Sequence, residues 1–306
     1  MTIALLATGA IWLDWLLGEP TRYHPLVGFG KLATALENKI YGAENIRPLT
    51  RKIHGSVAVV LLILPLTACA ATLTTLPYIG IPASLLLLYL TIGHKSLHDH
   101  AKPVAQALKN NDEEAARGLA SRMVSRDPST LNIPAATTES ILENGSDSVF
   151  ATLFWFAIAG IPGAVLHRLV NTLDAMWGYR NQRYNDFGWA AARLDDLMNF
   201  LPARLTALTY AIIARSTLAI SCWRRQAPLW DSPNAGPVMA AGAGALGISL
   251  GGPARYHGEW HSRAQLGDGP TANYKDIERA LKLVSNGVIL WLFIISLFSA
   301  YLAISV

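Results

Sequence analysis

Two apolar runs without a single charge, Ser56–Leu76 and Asn286–Val306, constrain this chain more than any other feature. Each reaches the roughly 20 residues that a helix needs to cross the hydrocarbon of a bilayer. The surrounding composition agrees. Of 306 residues 52% are hydrophobic and only 15% charged, and the mean hydropathy is +0.30, too apolar for a soluble protein of this length. The chain therefore reads as all-α, a polytopic integral membrane helical bundle forming one domain over residues 1–306. A net charge of +4 and a pI of about 9.1 suit cytoplasmic loops against anionic lipid. No Lys/Arg run or stacking motif points to nucleic acid. Cys69 and Cys222 stand in apolar surroundings without ligand spacing and read as core thiols.

Met1–Leu17 lacks a basic leader and a small-residue cleavage site, so it reads as a retained helix, not a cleaved signal peptide. Residues 31–52 are basic and cytoplasmic under the positive-inside rule. Ser56–Leu76 and Ile81–Ile92, joined by a turn at Pro77, Gly80 and Pro82, form a hairpin. Residues 94–147 form a cytoplasmic helical insertion that begins with two amphipathic helices, the second capped by Asp112. Residues 224–285 are a cytoplasmic loop region holding a Gly/Ala helix, Pro237–Leu250, and a short helix, Tyr274–Val284. If every apolar run crossed, the acids on either side of residues 149–170 would face opposite compartments. Val149–Val170, interrupted by Gly160 and Pro162, is therefore expected to be re-entrant or a helical hairpin, and Leu205–Trp223 not to cross fully. The expected spans are the N-terminal helix, the hairpin pair and the C-terminal helix, with both termini outside.

Chemistry concentrates in residues 138–199. Glu139, Glu143 and Asp147 recur at helical spacing, as do Asn171 with Asp174, Arg193 with Asp196, and Asp195 with Asn199. Carboxylates packed this closely call for a cation, a divalent metal or a basic partner. A second group, Asp14, Glu19, Arg22 and His24, lies around a turn set by Gly18, Pro20 and Pro25 at the membrane surface. Arg126, in a loop before the acids, suits pairing with them or clamping a phosphate. His94, His98 and His100 read as a polar patch at a helix end. Arg255, Tyr256, His257 and His261 sit in a Gly-rich loop of the kind that lines a site.

The order of motifs resembles the CobD/CbiB family of cobalamin-biosynthesis membrane proteins. The N-terminal block spans Asp14 to Pro25. It is followed by S-R-D at Ser125–Asp127, E-S-x-x-E-N-x-x-D at Glu139–Asp147 and F-W-F with a Gly/Pro break at Phe154–Gly163. N-T-L-D-x-M-x-G-Y at Asn171–Tyr179, F-G-x-x-A-A-R-L-D-D at Phe187–Asp196 and a Gly/Ala run at Met239–Gly247 complete the series. The resemblance implies adenosylcobinamide-phosphate synthase, an ATP-dependent carbon–nitrogen ligase joining adenosylcobyric acid to aminopropanol phosphate or a related amino-alcohol. It also implies an inner-membrane location, a site facing the cytoplasm, ATP and Mg²⁺. The expected partners are the corrinoid, the amino-alcohol phosphate, membrane lipid and other late corrin-pathway enzymes.

Within that frame Glu143, Asp147, Asp174 and Asp195 are the expected catalytic acids, with Glu143 as general base. Glu139, Asp195 and Asp196 are the expected Mg²⁺ ligands. Asp14, Glu19, His24, Arg126, Asn144, Asn171, Tyr179, Tyr184 and Arg193 are the expected substrate contacts, with Arg180 and Arg183 as further phosphate clamps. Trp177, Tyr179, Tyr184, Phe187 and Trp189 offer either a stacking surface for the corrin or anchors in the headgroups. No Walker motif is present, and Gly242–Gly247 lacks the strand that a dinucleotide fingerprint needs. Two other readings fit an acid-rich membrane face: a Mg²⁺-dependent transferase acting on a lipid diphosphate, which R-L-D-D-L-M-N at Arg193–Asn199 would serve, and a small-solute transporter.

Overall fold

The computed structural model describes residues 2–20, 24–43, 46–124, 126–256 and 258–304. Arg22, Ser125 and His257 lie outside the described residues. The fold is an all-α polytopic membrane bundle with one broken helix, as the apolar runs require. The chain divides into two compact units, Met1–Ile92 with Ala151–Asn199 and Ile295–Val306, and Gly93–Phe150 with Phe200–Ile294.

The first unit holds α1 (Thr2–Leu17), α2 (Pro25–Ile40), α3 (Pro48–Thr75) and α4 (Gly80–Thr91). Pro25 and Pro48 occupy the first turns of α2 and α3, where a missing N–H costs nothing. His24 caps α2, its Nδ1 accepting from the Leu26 N–H at 3.1 Å. The interrupted segment is α8 (Ala151–Trp177), and Gly160, at φ 63° and ψ −154°, breaks its helix. A Cβ on Gly163 would stand 2.5 Å from the Trp155 carbonyl oxygen. In a straight helix residues eight apart are about 12 Å apart, so the chain doubles back at Gly160 into a helical hairpin. Trp155 Nε1 donates to the Met198 carbonyl at 3.0 Å and ties the first arm to α10 (Trp189–Ala214).

The second unit holds α5 (His94–Lys109), α6 (Glu113–Ala120) and α7 (Ile133–Gly145), then a π-turn at Ser146–Phe150. It also holds α11 (Thr217–Gln226) and α12 (Ala235–Leu246). Asp112 and Asn132 cap α6 and α7 through their side-chain oxygens. Gly244 lets α11 and α12 meet, since a Cβ there would lie 2.8 Å from Ala219 Cα. The Gly/Ala helix ends at Leu246, with Gly247 left-handed, and not at Leu250. The polar stretch that follows is not irregular. β1 (Ser249–Gly251) pairs antiparallel with β4 (Gln265–Gly267), and β2 (Ala254–Tyr256) pairs with β3 (Glu259–His261).

Among the described residues, four helical stretches have the length and hydropathy for a membrane crossing: Pro48–Thr75, Ile133–Trp177, which is folded back at Gly160, Trp189–Ala214 and Tyr274–Tyr301. Of the expected spans, the first hairpin helix and the C-terminal helix are among these four. With 16 and 12 residues, α1 and α4 fall short of a straight crossing. The apolar run 205–223 is not one helix, because Arg215 at φ 50° separates α10 from α11. The short amphipathic helix at 274–284 and the terminal run form one helix, α13 (Tyr274–Ile304).

Candidate functional site

In the second unit, α7 projects the buried carboxylate of Glu139 into the loop system around β1–β4. Its Oε2 accepts from Arg126 Nη2 and, at 3.3 Å, from Arg263 Nη1, while its Oε1 accepts the Gly251 N–H at 2.9 Å. The side chains of Glu139, Arg126 and Arg263 are 2%, 15% and 12% exposed. Tyr256 Oη accepts from Arg126 Nε at 3.3 Å and Arg263 Nη1 at 3.4 Å, so one phenol oxygen bridges both guanidiniums. Arg263 Nε donates to the Gly252 carbonyl, and its guanidinium lies 5.0 Å from the Trp230 ring centroid. Burial pulls the Arg126 pKa down, but the Glu139 and Tyr256 oxygens outweigh it and leave the net shift upward. Beside the cluster lies an open cavity of about 210 Å³ lined by Arg126, Asp127, Glu139, Gly251, Arg255 and Arg263, among others. Asp127 Oδ2 accepts the Gly258 N–H at 2.9 Å and lies 3.5 Å from Arg255 Nε.

In the first unit, Asn171 Nδ2 donates to Asp195 Oδ1 at 3.3 Å. One turn further along α10, Asn199 Oδ1 lies 2.9 Å from a ring nitrogen of buried His167. Asp195 is buried and Asp196 half-buried, the latter 3.7 Å from exposed Arg193. A smaller cavity of about 140 Å³ gathers Tyr179, Arg180, Tyr184, Trp189, Arg193 and Asp196 around Trp177. Trp177 and Phe187 themselves are fully buried, edge-on to each other at 5.1 Å, and belong to the core. Trp177 Nε1 donates to Glu37 Oε2, and Arg183 donates twice to Glu37 Oε1. Arg183 is thus held by a carboxylate, and its hydrogen bonds to Glu37 raise its pKa.

The model of the CobD/Cbib protein family matches residues 7–284. The chain is 56% identical over 305 residues to the cobalamin biosynthesis protein CobD of Stutzerimonas stutzeri, covering 99% of both. It is 55% identical to that of Chromobacterium violaceum over 95% of both, and 40% identical to that of Mycobacterium tuberculosis over 89% of this chain and 88% of the relative. The chain belongs to the CobD/CbiB family. Membership places it in cobalamin biosynthesis. No solved structure matches it.

The run E-S-x-x-E-N-x-x-D at Glu139–Asp147 follows α7 into the π-turn, which carries Asp147; such turns recur at functional sites. Glu143 and Asp147 are half-buried, and exposed Asn144 is tied back to Ser140. Asp174 is half-buried on the second arm of α8, where a Cβ on Gly178 would stand 2.1 Å from its Oδ1. Asp14 is buried in α1, and Tyr89 Oη donates to the Gly18 carbonyl at 2.6 Å. His24 Nε2 lies 3.9 Å from exposed Glu19. Burial lowers the His24 pKa, with Glu19 opposing and Arg168 adding to the shift.

The structure thus brings Glu139 to Arg126, and Asn171 to Asp195, while Glu139 and the Asp195–Asp196 pair belong to different units. Among the described residues no three His, Cys, Asp or Glu side chains converge to hold a metal. The polar patch of His94 and His98 at the start of α5 is internal. Both are buried, with Nε2 atoms 3.1 and 3.0 Å from Ser285 Oγ; only His100 is exposed. Sequence reasoning missed Arg263 and Tyr256 as partners of Glu139. The available signal was chemical: a buried carboxylate needs hydrogen-bond donors beyond a single ion-pair partner, and Arg263 stands in a polar loop rich in Gly and Arg.

Proposed function

We propose that this chain is the ligase of its family: it joins the free carboxylate of adenosylcobyric acid to aminopropanol phosphate, or a related amino-alcohol, at the expense of ATP. Adenosylcobinamide phosphate is the product. The observation that carries the reading is the open cavity in the second unit, where buried guanidiniums border space large enough for a phosphate-bearing substrate. Arginine forks are the side chains best matched to phosphate oxygens. Because ATP and the substrates are cytoplasmic, the site faces the cytoplasm from the bacterial inner membrane.

A carboxylate does not condense with an amine in water unless its oxygen is first made a leaving group; ATP supplies this by turning the carboxylate into an acyl phosphate. In the first unit, Asp195 and Asp196 supply hard oxygen donors of the kind that would hold Mg²⁺. Asn171 orients Asp195 by donating to its Oδ1. Arg126, Arg255 and Arg263 balance phosphate charge. Glu143, half-buried on α7, takes the proton that the amine must lose as its nitrogen lone pair forms the C–N bond.

The test uses membranes containing the protein, supplied with adenosylcobyric acid, aminopropanol phosphate, ATP and Mg²⁺, with the amide followed by mass. Product should require ATP and fall at least 100-fold in Asp195→Asn and Glu143→Gln. Amide formation that proceeds equally without ATP would refute the reading.

A further inference from the structure

We propose that the cavity beside Glu139 is the subsite for a small amine-bearing phosphomonoester, the amino-alcohol substrate, and not for the nucleotide. The inference rests on the ligase reading for its choice of ligand and on geometry for its place. Among the described residues lining the cavity, the three guanidiniums of Arg126, Arg255 and Arg263 face the two carboxylates of Asp127 and Glu139. One positive charge is left, and an ammonium-bearing phosphate monoester, −2 on its phosphate and +1 on its amine, carries the net −1 that matches it.

The site is already built around an anion. Glu139 places one carboxylate oxygen between two guanidiniums and the other on the Gly251 N–H. Gly251 and Gly252, both at φ 77°, open the backbone beside it, as chains do where they must approach a ligand closely. Arg255, with its side chain 39% exposed, is the guanidinium least committed to the buried cluster. Asp127, 24% exposed on the same rim, supplies a negative group for the ammonium end of the ligand. Size decides between phosphate sources. A cavity of about 210 Å³ lies below the roughly 300–1,000 Å³ of sites that enclose drug-sized ligands. It accommodates a three-carbon phosphate ester, whereas a nucleoside triphosphate, several times larger, would leave most of its surface outside.

The experiment is isothermal titration calorimetry of the full chain in detergent, with and without adenosylcobyric acid. Aminopropanol phosphate, unphosphorylated aminopropanol and Mg²⁺-free ATP are the probes. Aminopropanol phosphate is expected to bind and to survive competition by ATP, and aminopropanol to bind at least 100-fold more weakly. Arg255→Gln and the charge-conserving Arg263→Lys should each weaken the phosphate ester roughly 10- to 100-fold, with the circular dichroism spectrum and elution volume unchanged. Wild-type affinity in both variants, displacement by ATP, or no binding under either condition would overturn the proposal. The two readings separate cleanly. Binding in this pattern without ATP-dependent amide formation leaves the subsite standing and removes the ligase; amide formation with an unchanged KM for the phosphate ester in Arg255→Gln does the reverse.

Discussion

Replacing Glu139 by Ala deletes the anion from the middle of a buried cationic cluster. Arg126 and Arg263, 15% and 12% exposed, lose their shared carboxylate oxygen, and the Gly251 N–H loses its acceptor. Breaking a buried ion pair from one side costs about 3–5 kcal/mol, because the remaining charge is desolvated and unmatched. An orphaned buried N–H adds about 1–3 kcal/mol. The adjoining open cavity works against both costs, since it admits water and anions, so a net loss of about 3 kcal/mol is expected. For a unit of this size that is roughly 6–12 °C in the unfolding midpoint. Thermal unfolding in detergent, read by tryptophan fluorescence, measures it. A double-mutant cycle sharpens the test: Arg263→Met should cost less in the Glu139→Ala background than in wild type, with a coupling of at least about 1 kcal/mol. Added inorganic phosphate should raise the midpoint of Glu139→Ala more than that of wild type. A variant melting within 1 °C of wild type, together with additivity in the cycle, would refute the claim that Glu139 neutralises the two arginines.

Other consequences are as direct. Burial, and then the neighbouring His98, hold the pKa of His94 at about 4; burial also leads for His98 at about 4, with Lys102 adding and Asp99 opposing. Both are depressed below 6.5, so the unfolded chain takes up protons first. Stability should therefore be full above pH 6.5 and fall as pH drops from there towards 4, by about 2 kcal/mol for His94 alone at pH 5. Urea midpoints at pH 7 and pH 5 should diverge in wild type and converge in His94→Gln/His98→Gln; equal pH sensitivity in that variant would remove the assignment. Gly163→Ala forces a methyl towards the Trp155 carbonyl and should cost about 1–3 kcal/mol, whereas Gly118→Ala, with nothing within 4 Å, should stabilise by about 0.5–1 kcal/mol. Melting the two side by side tests the hairpin at Gly160. Asp196→Asn should raise the Mg²⁺ concentration for half-maximal rate about tenfold, read from initial rates against Mg²⁺, and an unchanged Mg²⁺ profile would exclude that residue as a ligand.

Local chemistry made much of this fold legible in the sequence. Asp112 caps α6 in the structure as its position before two glutamates predicts, and the Gly/Pro interruption at 160–162 is the reversal of α8. Helix ends were less legible. α10 runs through Pro202 from Trp189 to Ala214, so the apolar run expected from Leu205 begins inside a helix that starts sixteen residues earlier. The Glu139 cluster was half legible, because Arg126 is close in the chain whereas Arg263 is 124 residues away and arrives through two short β-pairings. Three-residue strands of mixed, Gly-rich composition carry no periodicity to detect. The same holds for His94 and His98, whose meeting with Ser285 depends on helix packing over nearly two hundred residues of sequence. By composition Phe187 and Trp177 read as a stacking surface or as headgroup anchors, and only their packing against each other shows that they are core.

The ligase account stands or falls on the fate of one oxygen atom. Adenosylcobyric acid carrying oxygen-18 in its free carboxylate can be converted by membranes containing the protein, with ATP, Mg²⁺ and aminopropanol phosphate, and the inorganic phosphate released can be analysed by mass. Activation through an acyl phosphate transfers one labelled oxygen to phosphate for each amide bond formed. Amide formation that leaves the released phosphate unlabelled would contradict the account.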